Sequence, residues 1–355
     1  MTILPPYQDH IGLWREELAA WLPDTIFDAH VHLGPPEAMG PIPLHRLQEP
    51  VTTFTALPLE ELLQGYQAVY AGKTIAGMIA FPFPLREVRY EVANEYIARL
   101  MARDPRVRGF ILANPRDTAS TIRQYHALQK GGARFRGVKP YYDLLGKPMP
   151  FSSLHTDMEE FVPDELLEFM DAERLILMLH TSREGMGHPG CQRFVRRITE
   201  RWPHVKVILA HMGRYTNKRQ FLDFMDSGVW QHPNIFLEMS SASEPDVYAA
   251  ALQHRELWAR LLFGSDLPFG LISGVEYNAP ETGLIFLTRE AYPWTDRSLH
   301  ERLERQRATL SYNTYHTLHA LKRALDELPA AAGDKRQLME DIFRRNAQDR
   351  LLTTT

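Results

Sequence analysis

Two histidines stand two residues apart in a short apolar segment, within the run Asp-Ala-His-Val-His that contains His30 and His32. In a β-strand, side chains at positions i and i+2 point to the same face, so both imidazoles are directed at one region. Two converging imidazoles are a starting point for a zinc-type metal site. A lone His-x-His also occurs by chance, so this pair does not define a site without further support.

Three other apolar segments end in a single His or Asp. His180 closes Leu-Met-Leu-His, His211 closes Ile-Leu-Ala-His, and Asp266 closes Phe-Gly-Ser-Asp. Aspartate is seldom buried unless it is paired or bound to a cation. If these segments are parallel strands of one barrel, their carboxyl ends meet at one face. We therefore predict that the three side chains form one site with His30 and His32, rather than a polar plug at the barrel mouth.

The elements that would position these residues alternate along the chain. Eight apolar runs predict strands at residues 25–33, 75–83, 107–115, 135–142, 175–182, 205–213, 234–241 and 261–268. Helical patterns lie between them at residues 59–71, 87–103, 118–130, 163–173, 192–202, 218–227 and 245–260. Eight such repeats predict an α/β fold, a closed TIM (β/α)₈ barrel, rather than an open doubly wound sheet. No GxGxxG follows the first strand, which weakens a dinucleotide-binding interpretation.

The chain is longer than a bare barrel, which needs about 250 residues. We expect one domain over residues 1–355, with barrel strands at about 25–268 and the last loop and C-terminal helices at 269–355. Long loops are predicted after strands one, four and eight, at residues 34–58, 143–161 and 269–295. Loops of this length are usually functional. Residues 296–328 and 335–352 are predicted as amphipathic helices outside the barrel, where they could form a homodimer face.

Composition narrows the function classes. The net charge of −4 argues against nucleic acid as a partner. The single cysteine, Cys191, excludes an intramolecular disulfide and fits a reducing cytoplasm. The N-terminus lacks the pattern of a secretory signal, and no apolar run approaches the ~18 residues of a transmembrane helix. We expect a cytoplasmic protein that acts on a small molecule, away from membranes.

Taken together, the motifs resemble those of the amidohydrolase superfamily. The resemblance rests on Asp-Ala-His-Val-His in strand one, the His after strand five, Ala-His-Met-Gly after strand six and Gly-Ser-Asp after strand eight. More narrowly, the chain is similar to the amidohydrolase-2 (amidohydrolase-related) branch, which includes metal-dependent hydrolases and non-oxidative decarboxylases. The closing run Ile-Phe-Arg-Arg-Asn-Ala-Gln-Asp-Arg-Leu-Leu is similar to the C-terminal signature of that branch. The resemblance covers about residues 25–352.

The resemblance implies a metal-dependent reaction. One divalent ion, expected to be Zn²⁺, would be ligated by four side chains, namely His30, His32, His180 and Asp266. Such an ion with an open position lowers the pKa of its bound water towards neutrality. Asp266 would take that water's proton and return it to a leaving group. His211 would polarise a substrate carbonyl, or protonate a carbon centre in a decarboxylation.

The expected function is hydrolysis of an amide, lactone or ester bond of a small molecule by metal-activated water. Non-oxidative decarboxylation of a small carboxylic acid is the alternative, because it uses the same ligands. A non-catalytic binding barrel is disfavoured, since it has no need for both Asp266 and His211.

Four further side chains bear on the details. Lys139 stands where binuclear members of the superfamily carry a carboxylated lysine. In that case two ions would bind and His211 would ligate the second; we favour one ion, with Lys139 as a substrate anchor or salt-bridge partner. Arg183 and Arg214 follow strands five and six and are predicted to bind a carboxylate-bearing substrate. Glu238 either orients a ligand imidazole or faces solvent.

Overall fold

The parallel barrel predicted from the alternating pattern is confirmed. The computed structural model describes residues 4–147, 155–183, 185–215, 217–279 and 283–353. Eight strands pair in parallel in chain order. They are β1 Thr25–His32, β2 Thr74–Phe81, β3 Val107–Leu112, β4 Gly137–Lys139, β5 Ile176–Leu179, β6 Lys206–Leu209, β7 Ile235–Glu238 and β8 Leu261–Leu262. The segment after β8 returns to β1, because His32 N donates to Leu267 O and Ala29 N to Phe263 O, both at 2.8 Å.

Strand residues are buried on both faces, which explains why the strands read as continuous apolar runs. One set of side chains fills the barrel interior; it includes Phe27, Ile79, Phe81, Phe110, Met178, Ile208, Phe236 and Leu262. The other set packs outward against the helices. This double burial leaves the strand ends as the places where polar side chains can gather.

Helices follow the strands much as the pattern predicts. The helices of the barrel layer are α1 Leu59–Val69, α2 Tyr90–Arg103, α3 Thr118–Lys130, α4 Met158–Phe161, α5 Asp164–Ala172, α6 Pro189–Arg201, α7 Lys218–Asp226 and α8 Pro245–Leu252. Those after the barrel are α9 Arg297–Arg302, α10 Glu304–Ala308, α11 Asn313–Glu327 and α12 Ala332–Glu340. Within the described ranges, every helix is too short or too polar to cross a bilayer.

The C-terminal segment closes the amino-terminal end of the barrel. It continues from α12 as a π-helix, Asp341–Leu351, whose Ala347 and Leu351 join the interior apolar cluster. Asn346 Nδ2 donates to Trp258 O at 2.7 Å and to Leu261 O at 2.8 Å. This segment therefore packs under the strands, whereas the amphipathic pattern predicts packing only on the outside.

The region after β8 differs from the predicted loop at residues 269–295. It contains an antiparallel hairpin, β9 Gly274–Ala279 and β10 Gly283–Thr288. The physical reason is that Val275 and Tyr277 alternate with polar residues in β9, whereas residues 284–287 of β10 are a continuous apolar run, and both patterns favour strands. The hairpin supplies part of the wall of the cavity described next.

Candidate active site

A cavity of about 320 Å³ opens at the carboxyl end of the barrel strands. All three long segments predicted after strands one, four and eight contribute to its wall. They do so through Glu49, Pro50 and Val51; Asp143; and Phe269, Ile272, Glu276, Phe286 and Trp294, while Tyr141 and Tyr142 line the cavity just after β4. The floor is formed by side chains at the strand ends, namely His30, His32, Lys139, His180, His211 and Asp266.

Three of the four predicted metal ligands converge at the floor. His32 Nε2 lies 3.1 Å from Asp266 Oδ1, and His30 Nε2 lies 3.3 Å from the same oxygen. The donor atoms of these three buried residues lie within 4.8 Å of one another. Two imidazole nitrogens and a carboxylate oxygen are a donor set that suits zinc and similar divalent ions. His180 lines the same cavity but lies outside this close group.

Glu238 is buried and faces His30. His30 Nδ1 donates to Glu238 Oε2 at 2.8 Å, which leaves the lone pair of His30 Nε2 directed at Asp266. Glu238 also accepts from Ser240 N at 2.6 Å and from Ser240 Oγ at 2.9 Å. Burial raises the pKa of the Glu238 carboxyl, and His211 and these hydrogen bonds oppose the rise. A carboxylate behind an imidazole is the arrangement that fixes the orientation of metal-binding histidines.

Two further imidazoles at the floor, those of His180 and His211, are also fixed through Nδ1. His180 Nδ1 donates to Thr181 O, and His211 Nδ1 donates to Ser240 O, both at 3.1 Å. These acceptors assign the proton to Nδ1 and leave Nε2 unprotonated in the neutral ring. Burial lowers the pKa of His180 well below its usual value and that of His211 to about 4. Both rings are therefore neutral and offer a nitrogen lone pair to the cavity.

Lys139 lies at the cavity floor in an aromatic setting. Its Nζ is 4.8 Å from the centroid of Phe81 and 5.6 Å from that of Tyr141. Burial lowers the pKa of the Lys139 amine to about 8, and the carboxylates of Asp266 and Glu238 oppose that shift. No residue in the described ranges forms a salt bridge with it, so its ammonium faces the cavity.

The structure brings only one of the two predicted arginines into the cavity. Arg214 lines the wall, and its Nη1 donates to Thr181 O at 3.1 Å. Arg183 instead pairs with Asp157 near the protein surface and does not line this cavity. Both arginines stand in sharp turns with a positive φ, 53° at Arg183 and 54° at Arg214, so the strand pattern did not indicate where either side chain would point.

Several residues that shape the site were not predicted from the sequence. Ser240 fixes both Glu238 and His211. Glu276 and Trp294 reach the cavity from the hairpin region. The alternation of Val275 and Tyr277 with polar residues was a signal for a strand at Glu276, whereas Trp294, which follows the hairpin, had no such signal.

The comparison with protein families agrees with the motif order. Residues 27–351 match the family model Amidohydro_2, described as Amidohydrolase. The chain belongs to this amidohydrolase family. Members of the family usually bind divalent metal ions, and the group of His30, His32 and Asp266 is able to hold one. No curated protein matches the chain.

Solved structures share the fold of this amidohydrolase at low sequence identity. Amidohydrolase 2 from Bifidobacterium longum subsp. infantis is 14% identical with a TM-score of 0.50, over 93% of this chain and 99% of that one. The apo form of IDCase from Metarhizium anisopliae is 14% identical with a TM-score of 0.51, over 96% and 98%. An uncharacterized TIM-barrel protein from Bordetella bronchiseptica is 14% identical with a TM-score of 0.51, over 92% of this chain and 98% of that one. These likenesses extend along the whole barrel and concern the fold alone.

Proposed function

We propose that this amidohydrolase is a metal-dependent hydrolase that cleaves an amide, lactone or ester bond of a small molecule, with Asp266 as the proton shuttle. The observation that carries the proposal is the convergence of His30 Nε2, His32 Nε2 and Asp266 Oδ1 on one point of the cavity floor. Family membership supports it, because members are enzymes and mostly hydrolases.

The residues present fit a single zinc-like ion. His30, His32 and Asp266 would hold it, with His180 as the fourth ligand from the neighbouring wall. When bound, such an ion supplies Lewis-acid activation of water and polarisation of a carbonyl oxygen. The hydrogen bond from His30 Nδ1 to Glu238 keeps the ligand nitrogen unprotonated and the ring in place.

Asp266 and His211 are the residues we assign to proton transfer. Asp266 N donates to His30 O at 2.9 Å, and this bond fixes a backbone with a left-handed φ of 55°. The carboxylate is thereby held at the cavity floor, where it takes a proton from the attacking water and returns it to the leaving group. His211 Nε2 has a free lone pair on the same floor and can accept a hydrogen bond from the water or the substrate.

The cavity wall supports a small substrate that bears a carboxylate. The volume of the cavity, about 320 Å³, lies at the lower end of the range for small-molecule sites. Lys139 and Arg214 are the cationic side chains among the residues that line it. Arg214 presents a planar guanidinium that suits a carboxylate, and Lys139 adds a point charge nearer the floor.

The proposal is tested with metal-loaded protein and a panel of small esters, lactones and amides that carry a carboxylate. We expect hydrolysis of at least one member, and a fall in kcat/KM of about 10²–10⁴-fold in Asp266→Asn. Asp246→Asn is the control, because Asp246 forms only an exposed ion pair with Lys218. Full activity of Asp266→Asn, with an unchanged melting temperature, would remove Asp266 from the reaction.

Non-oxidative decarboxylation is the second candidate, and Arg214 and Lys139 favour it. Together they could hold a substrate carboxylate against the metal position, where loss of carbon dioxide would leave a carbanion for protonation. Release of carbon dioxide from a panel of small carboxylic acids, without hydrolysis of any ester, lactone or amide, would replace the first proposal with this one.

A further inference from the structure

Acidic side chains at the cavity wall are unequally paired. Glu49 and Asp143 both form ion pairs with the buried Arg46, and the Asp143 pair measures 2.6 Å. Asp143 also pairs with Arg86 at 2.6 Å. Glu276, on strand β9, has neither an ion pair nor a hydrogen bond to its carboxylate within the described ranges. Of these three carboxylates, Glu276 is the one whose charge remains available to a ligand.

Glu276 shares the wall with Arg214 without pairing to it. Both line the cavity, yet no salt bridge within 4.0 Å joins them. Burial raises the pKa of the Glu276 carboxyl to about 7; Arg214 opposes this shift and Glu244 adds to it. Glu276 is only partly exposed, and a partly desolvated carboxylate that lacks a donor is costly. A hydrogen-bond donor on a ligand would therefore contribute more binding free energy at Glu276 than at a solvated glutamate.

The space beside these two charges is aromatic. Rings from several segments line the cavity, namely Tyr141, Tyr142, Tyr215, Phe269, Phe286 and Trp294. Trp294 is held by its Nε1, which donates to Thr53 Oγ1 at 2.9 Å, and by stacking on Tyr292 with ring centroids 5.0 Å apart. Such a wall accommodates a flat, apolar group, and Arg214 and Glu276 add polar contacts to it.

We propose that Glu276 is a specificity-determining residue, which selects substrates that carry a hydrogen-bond donor in addition to the anionic group bound by Arg214. The donor would be an ammonium, amide or hydroxyl group, separated from the anionic group by a planar apolar body. The proposal rests on the proposed function only in taking this cavity as the substrate site. It does not depend on whether the bond broken is an ester, an amide or a carbon–carbon bond.

The experiment compares ligands of nearly equal shape by isothermal titration calorimetry on the metal-loaded protein. The probes are 4-(aminomethyl)benzoate, which has an anion and a donor, and 4-ethylbenzoate, which has the anion alone; the meta isomers are included to allow for spacing. We expect the aminomethyl acid to bind about tenfold tighter or better, as a hydrogen bond to a charged group provides. In Glu276→Gln this preference should shrink to about threefold or less.

Matched variants separate this role from general damage. Binding of 4-ethylbenzoate should be as tight or tighter in Glu276→Gln, because the change removes a negative charge near the anionic probe, and retained binding shows that the cavity is intact. Arg214→Met should weaken both acids by a similar factor. Glu290→Gln, an exposed change just after the same hairpin, should leave both affinities as they are.

An unchanged preference in Glu276→Gln, or no preference and no binding in the unmodified protein, would overturn the proposal. Its failure is distinct from failure of the proposed function, which is judged by products. Selective binding with carbon dioxide as the product would leave Glu276 in its role and remove the hydrolase. Hydrolysis of a substrate, with equal affinity for the two acids, would support the hydrolase and remove Glu276 from its role in specificity.

Discussion

At the residue scale, the site depends on a close approach that only glycine allows. Gly264 lies two residues before Asp266, against the contact between Glu238 and His30. A Cβ at this position would be 2.2 Å from Glu238 Oε1 and 2.8 Å from His30 Cβ. Because real Cβ atoms do not approach so closely, any side chain here would displace the carboxylate that orients His30.

We therefore expect Gly264→Ala to weaken metal binding by about 10- to 100-fold, as loss of an orienting partner does. Overpacking should also lower the free energy of unfolding by about 1–3 kcal/mol. Competition with a chromogenic chelator and urea unfolding measure the two effects. Gly333→Ala is the control: it lies in α12 with nothing within 4 Å of the added Cβ, and should be neutral or stabilising. Equal metal affinity in both variants would contradict the role given to Gly264.

The sequence predicted residue positions better than side-chain directions. His30, His32 and Asp266 could be placed together because the carboxyl ends of parallel strands share one face. The directions of Glu238, Arg183 and other side chains at the turns could not be predicted. Backbone turns with positive φ, as at Arg183 with 53°, re-aim side chains over one or two residues, and no periodicity records them.

At the element scale, a buried ionic cluster joins the loops around the cavity. Arg46, from the short helix Leu44–Gln48, is fully buried. It pairs with Glu87 after β2 at 2.9 Å and with Asp143 after β4 at 2.6 Å. Three loops that carry cavity residues are thus tied at one guanidinium.

Removal of this guanidinium would leave buried carboxylates without a counter-charge. We expect Arg46→Met to lower the free energy of unfolding by about 3–5 kcal/mol. Arg103→Met, which breaks an exposed pair with Glu60, should cost at most about 1 kcal/mol. Urea unfolding of the two variants gives the comparison. If the Arg46→Met and Arg103→Met variants were equally stable, the ionic cluster around Arg46 would not hold the loops together.

The start of α11 contains a titratable group outside the proposed metal site, His316. His316 Nε2 accepts a hydrogen bond from Ser311 N at 2.8 Å, which requires the neutral ring. Burial lowers the pKa of His316 to about 4, and His319 adds to the effect. The unfolded chain, with a histidine pKa of about 6.5, binds the proton more readily. Stability from this group is therefore present above about pH 6.5 and is lost as the pH falls towards 4.

The corresponding test is urea unfolding at several pH values between 7.5 and 4.5, for the unmodified protein and for His316→Gln. Glutamine can accept the Ser311 hydrogen bond but does not titrate. We expect the unmodified protein to lose up to about 1.4 kcal/mol per pH unit more than the variant within this window. Parallel curves for the two proteins would show that His316 is protonated equally in both states.

The hairpin β9–β10 illustrates what periodicity could have revealed at this scale. Val275 and Tyr277 alternate with polar residues before Pro280, and an apolar run at residues 284–287 follows Gly283; two strand patterns separated by proline and glycine are a hairpin signal. The length between β8 and the C-terminal helices instead suggested a loop. The strand β8 is shorter than predicted: only Leu261 and Leu262 pair regularly, although the predicted strand extends over residues 261–268. Polar contacts of the segment around Asp266 replace the regular ladder there.

At the scale of the whole molecule, the apolar residues that close the barrel and the residues of the candidate site lie at opposite ends of the strands. The C-terminal π-helix and the interior apolar side chains close the lower end. The histidines, Asp266 and the loop residues occupy the upper end. The order of the motifs along the chain was enough to predict this division, because chain order fixes strand order in such a barrel. The spacing of His180 from the other proposed ligands depends on the barrel's shape and could not be predicted.

Metal removal tests the whole arrangement. We expect about one zinc-like ion per chain by elemental analysis of protein purified without chelators, and loss of activity on chelation. At a free ion concentration 100-fold above Kd, binding adds about 2.7 kcal/mol to stability, or on the order of 4 °C in Tm. The stability measurement is independent of any substrate. Two ions per chain would instead indicate a carboxylated Lys139 with His211 as a ligand of the second ion. Activity and Tm that are both insensitive to chelation would mean that His30, His32 and Asp266 act directly as acids and bases.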